Sequence, residues 1–380
     1  MDFSLSEDQQ AIAELAAKIL ADKASHERQR EIETRGGPRF DRELWRAVAD
    51  AGLLGIAVPE AHAGAGLGFL EVAAILEQVG RRTAPMPLFE TVVLAALPIA
   101  EFGSPAQCAA WLPKIASGEA IATAALVEDA PTNAARDGDG FRLSGKKLCV
   151  PAAEFADVVL VPAEVDGQET IFLVDPKAAG VQLDPMATTS GLPESLMTLS
   201  GVRVGSDAVL GGIVASFAQR GAAERRPEGD GAKVRAWLEL RATAALCMIS
   251  LGACEAALDL TSEYIKTRKQ FDQPIAMFQA VGHRAADAFI DTEAIRLTSW
   301  QAAWRISAGL DAAKQVAVAK FWCAEGAKRV VHAATHLHGG VGVDKEYPLH
   351  RYFLYARHLE LMLGGGTLQL LKLGRLLAAE

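Results

Sequence analysis

The sequence predicts an α+β protein in which an N-terminal helical domain precedes a central antiparallel β-barrel domain and a C-terminal four-helix bundle. Apolar residues recur at helical spacing up to about residue 118, at the alternating spacing of strands over 119–212, and at helical spacing again from 234 onwards. A chain of 380 residues also exceeds the size of most single domains. We therefore predict domains at 1–118, 119–212 and 234–380, joined by a linker at 213–233.

The helix signals in the N-terminal segment are local. Ser6-Glu-Asp-Gln9 has the pattern of a capping box, in which the Ser6 hydroxyl accepts from the Gln9 backbone and the Gln9 side chain accepts from the Ser6 N–H. Two further helices are predicted at Leu44–Leu54 and Phe69–Val79, because a glycine follows the last periodic residue of each.

The period changes from 3.6 to 2 in the central segment, and turn residues separate the apolar runs. Asp137-Gly-Asp-Gly140 and Asp166-Gly167 are hairpin signals. Because no helical pattern intervenes, an antiparallel barrel or sandwich is expected. The predicted strands are Ile121–Val127, Phe141–Ser144, Val158–Val161 and Thr170–Val174.

Residues 213–233 are charged and rich in glycine, which predicts a mobile linker. Beyond it the helical pattern runs to the end with short connections, as in an up-down bundle. The four predicted helices cover about 234–268, 280–307, 311–337 and 346–378.

Composition limits the function classes. The formal net charge of −9 argues against nucleic acid as a partner, because phosphate binding needs a basic surface. The five cysteines are scattered and unpaired in spacing, which predicts reduced thiols, and no window reaches about 18 uninterrupted apolar residues. The N-terminus lacks the pattern of a secretory signal, so we expect a cytoplasmic protein without a membrane span.

Two segments near the C-terminal end could hold a phosphate-bearing cofactor. Arg268 is followed at short spacing by Phe271 and by Phe278-Gln279, and its guanidinium can form forked, charge-assisted hydrogen bonds with a pyrophosphate. Gly339-Gly340 would let backbone amides approach a phosphate or ring edge from which a Cβ would keep them away.

A third segment, Gly364-Gly365-Gly366-Thr367-Leu-Gln369, completes a set that, in this order, resembles the acyl-CoA dehydrogenase family over nearly the whole chain. The resemblance implies FAD as cofactor, an acyl-CoA substrate, an electron-transfer flavoprotein as electron acceptor, and a homo- or hetero-oligomer with a related dehydrogenase chain. It also implies that the Arg268 segment holds the FAD of a neighbouring subunit. The cofactor-binding residues that it predicts are Arg268, Phe271, Phe278, Gln279, His336, Gly339, Gly340, Thr367 and Gln369.

The resemblance is weakest in the β domain. The family usually has Thr-Glu-Pro-x-x-Gly-Ser-Asp beside the flavin and the thioester, and Leu126–Ala134 matches neither part of it. The family's Trp-Ile-Thr, which packs on the flavin ring, aligns with Cys149-Val-Pro151. Glu128 is either a remnant of the first motif or, as we favour, an ordinary turn carboxylate. His336 stands where the family often has Gln.

The catalytic base of the family is missing at its usual place. Most members have Tyr-Glu-Gly-Thr, whose Glu removes the α-proton of the substrate, and that position is Gly365 here. Members that place the Glu on the first bundle helix have it at a position equivalent to Ala242. Glu239, one helical turn earlier, is an alternative base, and Glu360 is a weaker one. The identity of the base is therefore left open.

Three functions fit these observations. We favour a subunit of a heteromeric acyl-CoA dehydrogenase, as in certain bacterial enzymes of the family that degrade steroids and their side chains, in which a partner chain supplies the base. The alternatives are an enzyme that is active alone through Glu239, and a family member with other flavin chemistry, such as a monooxygenase, or with binding alone. His332 and His336 share a helical face, but no carboxylate or thiol accompanies them at a suitable spacing, so no metal is predicted.

Overall fold

The computed structural model describes residues 5–211 and 231–379, so most of the predicted linker at 213–233 lies outside the described residues. The chain forms two compact units. The first comprises Met1–Gly36, Phe69–Pro85 and Thr243–Glu380, and the second comprises Gly37–Gly68 and Met86–Ala242. Both units draw on the segment 1–118, and the predicted domain boundaries stay a prediction.

The first unit is built from helices and one small hairpin. The capping box is confirmed: Gln9 N donates to Ser6 Oγ at 3.2 Å, and Ser6 N donates to Gln9 Oε1 at 3.0 Å. The helices of this unit, including α7 whose first turns belong to the second unit, are α1 (Glu7–Lys23), α2 (His26–Arg35), α4 (Phe69–Arg82), α7 (Gly231–Thr267), α8 (Gln279–Ser307), α9 (Ala313–His338), α10 (Leu349–Leu361) and α11 (Gly366–Ala378).

Two glycines allow α4 and α7 to cross with their backbones in contact. A Cβ on Gly80 would lie 1.9 Å from the carbonyl oxygen of Ile249, and a Cβ on Gly252 would lie 1.9 Å from that of Glu77. Both distances are far inside van der Waals contact, so only glycine fits at either position. The prediction that Gly80 ends its helix was wrong, because here the glycine serves packing inside α4.

The predicted fourth bundle helix, 346–378, is interrupted. It divides into α10 and α11, because Leu363 and Gly364 both adopt positive φ, at 53° and 95°, and end the first of the two helices. The consecutive glycines thus form a turn between two helices rather than the middle of one helix.

The second unit combines short helices with a curled sheet. Its helices are α3 (Arg42–Asp50), a π-helical stretch at Phe89–Ala96 that runs into α5 (Leu97–Phe102), and α6 (Pro105–Ala116). The sheet strands are β1 (Ala122–Ala124), β2 (Asn133–Asp137), β3 (Gly140–Pro151), β4 (Val158–Val165), β5 (Gln168–Val174), β6 (Val181–Met186) and β7 (Glu194–Gly205). The strand order is β1-β4-β2-β3-β7-β6, with β5 paired to β4. The mixed α+β fold class is confirmed.

Both predicted hairpins form. Asp137 pairs with Gly140 across the β2–β3 turn, and Val165 pairs with Gln168 across the β4–β5 turn, where Asp166 and Gly167 take the positive φ of a two-residue turn. One expectation was wrong: the sheet is not wholly antiparallel, because β1 runs parallel to β4, with Ala122 opposite Val158. Between β1 and β4 the chain forms the β2–β3 hairpin, and β4 then runs in the same direction as β1.

The apolar side chains of the sheet form one buried cluster that includes Phe141, Phe172, Met197 and Val202. Phe141 and Phe172 meet edge to face, with ring centroids 5.2 Å apart. All five cysteines are free, as expected, and Cys149 is the exposed one among them.

Within the described residues, α7 is the one helix that is long and apolar enough to cross a membrane. In its most apolar window 78% of the residues are buried inside the protein. The apolar character of α7 is therefore accounted for by its position in the core.

Candidate functional site

A cavity of about 610 Å³ in the first unit brings four of the predicted cofactor residues together. Arg268, His336, Gly339 and Gly340 all line it, although about seventy residues separate the arginine from the others. The remaining lining residues are Tyr264, Gln270, Ile275, Leu337, His338, Val341 and Asp344.

The end of α7 positions Arg268. Its backbone N–H donates to Tyr264 O at 2.8 Å, and its carbonyl accepts from Ile275 N at 2.8 Å, so both sides of the residue are fixed. The guanidinium makes no ion pair with any residue that the structure describes. A fixed arginine with free donors is suited to binding an anion.

The opposite wall is the end of α9. Gly339 adopts φ 61°, and a Cβ on Gly339 or Gly340 would project into open space, so no side chain covers the backbone here, although the Gly339 N–H itself donates to His336 O. Gly342 has a different reason to be glycine, because a Cβ there would lie 2.7 Å from Thr335 O. The wall is therefore shaped for the close approach of a ligand to the backbone.

His338 supports this wall from inside. Its ring stacks on Tyr264 with centroids 4.3 Å apart, and its Nδ1 and Nε2 lie 2.8 Å from Ala334 O and 3.2 Å from Tyr347 Oη. Burial lowers the pKa of His338, so the ring is neutral at pH 7 and the cation of the cavity is Arg268.

The structure places Phe271, Phe278 and Gln279 outside this cavity. Phe271 lies at the tip of a hairpin formed by β8 (Lys269–Gln270) and β9 (Gln273–Pro274), with φ 51° and 89% exposure. Phe278 meets it edge to face at 6.1 Å, and the Gln279 side chain is exposed beside His283. A left-handed backbone is costly for phenylalanine, and nothing within the described chain covers this ring.

Gly365 has no steric reason to be glycine. Its backbone is extended, with φ −76° and ψ −177°, and a Cβ there would meet only Glu360 O at 3.6 Å. Its neighbours differ: Gly364 needs its φ of 95°, and a Cβ on Gly366 would lie 2.9 Å from Glu325 Oε1. The side chain is therefore absent from the one position of the three that could carry it.

Gln369 and Thr367 lie just beyond this turn. The Gln369 amide nitrogen donates to Leu363 O at 3.1 Å and to Gly364 O at 3.3 Å, and so holds the glycine turn in shape. Its Oε1 is buried without a hydrogen-bond partner among the described residues. Thr367 is exposed and remains accessible to a ligand or a second chain.

The residues that could replace the missing base are held by arginines. Glu239 Oε1 accepts from Arg235 Nε at 2.8 Å, and the Glu360 carboxylate pairs with Arg357. Glu128 acts as the expected turn carboxylate, because it accepts from Thr132 within its turn, and it also forms ion pairs with Lys147 and Arg235 that the sequence did not indicate.

No group of three or more His, Cys, Asp or Glu residues that could hold a metal occurs in 5–211 or 231–379. His332 packs edge to face against Phe353 at 4.9 Å, while His336 lines the cavity. The two histidines thus have separate environments.

A fold of N-terminal helices, curled sheet and C-terminal helices, with this cavity and glycine turn, defines a class of flavin enzyme. The family description "Acyl-CoA dehydrogenase, N-terminal domain" matches residues 6–119, and "Acyl-CoA dehydrogenase, C-terminal domain" matches residues 229–377. The chain belongs to the acyl-CoA dehydrogenase family, whose members are FAD-dependent oxidoreductases.

Particular relatives are similar over the full length. Acyl-CoA dehydrogenase FadE27 of Mycobacterium tuberculosis is 40% identical over 389 residues, covering 100% of this chain and 99% of the relative. A chain of the ChsE4-ChsE5 complex from the same organism is 41% identical with a TM-score of 0.92, and the match covers 100% of this chain and 100% of that one. A chain of the Tcur3481-Tcur3483 steroid ACAD is 39% identical with a TM-score of 0.88, and the match covers 99% of this chain and 99% of that one.

The residues of the cavity fit part of FAD. A free guanidinium opposite a stretch of backbone that no side chain covers suits a pyrophosphate, and the neighbouring apolar side chains of Ile275 and Val341 suit an adjoining ring system. Sequence reasoning did not identify Tyr264 as a wall of this cavity, although its position one helical turn before Arg268 was a usable signal.

Proposed function

We propose that this chain is the subunit of a heteromeric acyl-CoA dehydrogenase that lacks its own base for α-proton removal, and that a related chain supplies this base. The observation that carries the proposal is Gly365, where the extended backbone has room for a Cβ and no side chain is present. Removal of an α-proton from a thioester needs a positioned carboxylate. When bound, FAD accepts the β-hydride.

The alternative bases support this reading. Arg235 neutralises Glu239 in a direct contact, and Arg357 neutralises Glu360. A carboxylate held in such a contact would have to leave its arginine before it could approach the α-carbon of a substrate. Neither residue is therefore placed to take over from the missing glutamate.

The surface of the helical unit supports a partner chain. Large apolar side chains are exposed on the hairpin, on α8 and around the glycine turn, and a soluble monomer rarely exposes so many in one unit. They include Phe271 (89%), Met277 (69%), Ile290 (63%), Val343 (68%), Leu361 (69%) and Leu368 (60%). We propose that these residues meet a second dehydrogenase chain in a dimer or tetramer.

The relatives point to the class of partner and substrate. Two of the similar structures are complexes of two differently named chains, ChsE4-ChsE5 and Tcur3481-Tcur3483, and the second is called a steroid ACAD. We propose an acyl-CoA thioester of a steroid side chain or a fatty acid as substrate, an electron-transfer flavoprotein as electron acceptor, and a cytoplasmic location.

The isolated chain, loaded with FAD, is expected to bind an acyl-CoA without bleaching its flavin under anaerobic conditions. Addition of a complementary dehydrogenase chain that carries the glutamate should restore bleaching. The measurement is the visible flavin spectrum during titration with acyl-CoA, with and without the second chain. Rapid bleaching by the isolated chain would contradict the proposal and favour an enzyme that is active alone.

Arg268→Ala is expected to weaken FAD binding about ten- to a hundredfold, because it removes one charged hydrogen-bonding group from the cavity. Flavin retained on gel filtration measures the effect. Lys269→Ala is the matched control, since Lys269 is the exposed neighbour and lines no part of the cavity. If the Arg268 variant keeps as much FAD as the Lys269 variant, the cavity does not bind the pyrophosphate.

A further inference from the structure

The second unit contains a lysine with no exposed surface. Lys147 lies in β3, is 0% exposed and forms an ion pair with Glu128. Burying an ammonium group costs several kcal/mol unless a partner compensates for it. A fully buried lysine in a strand therefore indicates a specific arrangement around its partner.

Glu128 is the centre of this arrangement. Besides Lys147, its Oε2 accepts from the backbone N–H and from the hydroxyl of Thr132, both at 3.1 Å, and its Oε1 accepts from Arg235 Nη1 at 3.3 Å. The Glu128 carboxylate thus stabilises the turn from 128 to 132 and links it to β3 through Lys147 and to α7 through Arg235.

Arg235 connects the same turn to the start of α7. Its guanidinium donates to Leu126 O at 2.8 Å, to Glu169 Oε2 at 2.9 Å and to Glu239 Oε1 at 2.8 Å. The helix start itself packs closely on β5, because a Cβ on Gly231 would lie 2.2 Å from Glu169 O. A helix, a hairpin and a loop are therefore joined through one guanidinium.

Ionisation in this cluster is a balance of burial and partners, and for Lys147 burial outweighs the contact with Glu128 and lowers the pKa. Burial opposes ionisation of Glu128, but the hydrogen bond and the charge of Lys147 outweigh it and hold the pKa of Glu128 below its ordinary value. Burial likewise opposes the charge of Arg235, and hydrogen bonds with Glu239 and Glu169 raise its pKa above the ordinary value. Loss of the Glu128 charge would leave the buried Lys147 without its ion-pair partner, whereas Arg235 would keep Glu169 and Glu239.

The cluster joins the two segments that, by family resemblance, face the flavin and the thioester. Leu126–Ala134 contains Glu128, and Cys149–Pro151 follows Lys147 by two residues along β3. Leu148 N also donates to Val127 O at 2.8 Å, so the segments are linked by backbone and by charge. Cys149 itself adopts φ 49°, a backbone conformation that residues other than glycine rarely adopt.

We propose that Lys147 and Arg235 are positioning residues that act through Glu128 to hold Leu126–Ala134 and Cys149–Pro151 in the geometry that receives the acyl thioester. This rests on the proposed function, because the family resemblance assigns the two segments to the thioester and flavin. A positioning role differs from plain stabilisation, which would affect the whole sheet evenly.

Hydrogen–deuterium exchange on the FAD-loaded chain distinguishes the two roles. In Lys147→Met, amides of 126–134 and 148–151 are expected to exchange about tenfold faster or more, because a buried acceptor loses its partner. The amides of β4 and β5 should keep their protection. Lys146→Met is the matched control, since Lys146 is the exposed neighbour in the same strand. Unchanged exchange in the two segments would overturn the proposal.

A paired variant covers the case in which Lys147→Met unfolds the sheet. In Lys147→Met with Glu128→Gln both charges are removed, so no buried charge is left alone, while the link between strand and turn is still broken. Faster exchange confined to the two segments, with weaker binding of butyryl-CoA in a titration, supports the proposal. Wild-type exchange and wild-type affinity in this variant overturn it. If the unmodified chain itself fails to bind butyryl-CoA, the proposed function fails, and the exchange result still decides whether the cluster holds the segments.

Discussion

Gly365→Glu is expected to make the isolated, FAD-loaded chain reduce its flavin with acyl-CoA about 10²–10⁴-fold faster than the parent chain, the range that a positioned base contributes. The backbone at 365 is already extended, and a Cβ there would meet only Glu360 O, at 3.6 Å, so a side chain can begin at this position without backbone strain. Anaerobic stopped-flow absorbance of the flavin measures the rate.

Gly365→Gln is the control, because it adds a side chain of the same size without a base. If the two variants reduce flavin equally slowly, a carboxylate at position 365 does not act as the base in this chain. Rapid reduction by the parent chain that is lost in Glu239→Gln would make Glu239 the base, despite its contact with Arg235. Rapid reduction by the parent chain that persists in Glu239→Gln would indicate a third base, which is neither Glu239 nor a residue of a partner chain.

The parts of the fold that depend on neighbouring residues could be predicted from the sequence. The capping box at Ser6 and Gln9 and the turns at Asp137–Gly140 and Asp166–Gly167 form as expected, because each is decided within about four residues. The strands β2, β6 and β7 were not predicted as strands. The burial patterns of β2 and β6 contain few buried positions, so their pairing comes from neighbouring strands rather than from their own apolar residues.

Glycine was the residue that local reasoning interpreted least well. Gly80 follows an apolar helical run and was predicted to end it, but the helix continues to Arg82 because the glycine faces the backbone of Ile249. The glycine turn before Gly366 was predicted to lie within a helix and instead ends one. The difference depends on a partner far away in the sequence, which no local pattern contains.

The candidate site shows the same division. Motif spacing predicted Arg268, His336, Gly339 and Gly340, and the fold brings all four to one cavity. The role of Glu128 was missed because its partners, Lys147 and Arg235, lie on a different strand and on a helix. A lysine inside a strand is usually expected on the exposed face, so its complete burial could not be predicted from alternation.

Gly252→Ala is expected to destabilise the folded chain by about 3 kcal/mol or more. The added methyl group would meet backbone atoms, which cannot move aside as a flexible side chain could. The new Cβ would lie 1.9 Å from Glu77 O and 2.8 Å from Arg81 N, both backbone atoms of α4. The helices must separate for the methyl group to fit. Urea unfolding followed by circular dichroism measures the change.

Gly282→Ala is the matched control, since it makes the same substitution inside α8 at a position where a Cβ meets no atom within 4 Å. Alanine should stabilise that helix by about 0.5–1 kcal/mol relative to glycine, because it lowers the entropy lost on folding. The two variants should therefore shift the urea midpoint in opposite directions. A Gly252 variant as stable as the parent would mean that α4 and α7 do not cross in backbone contact, and the packing argument for Gly80 would fail with it.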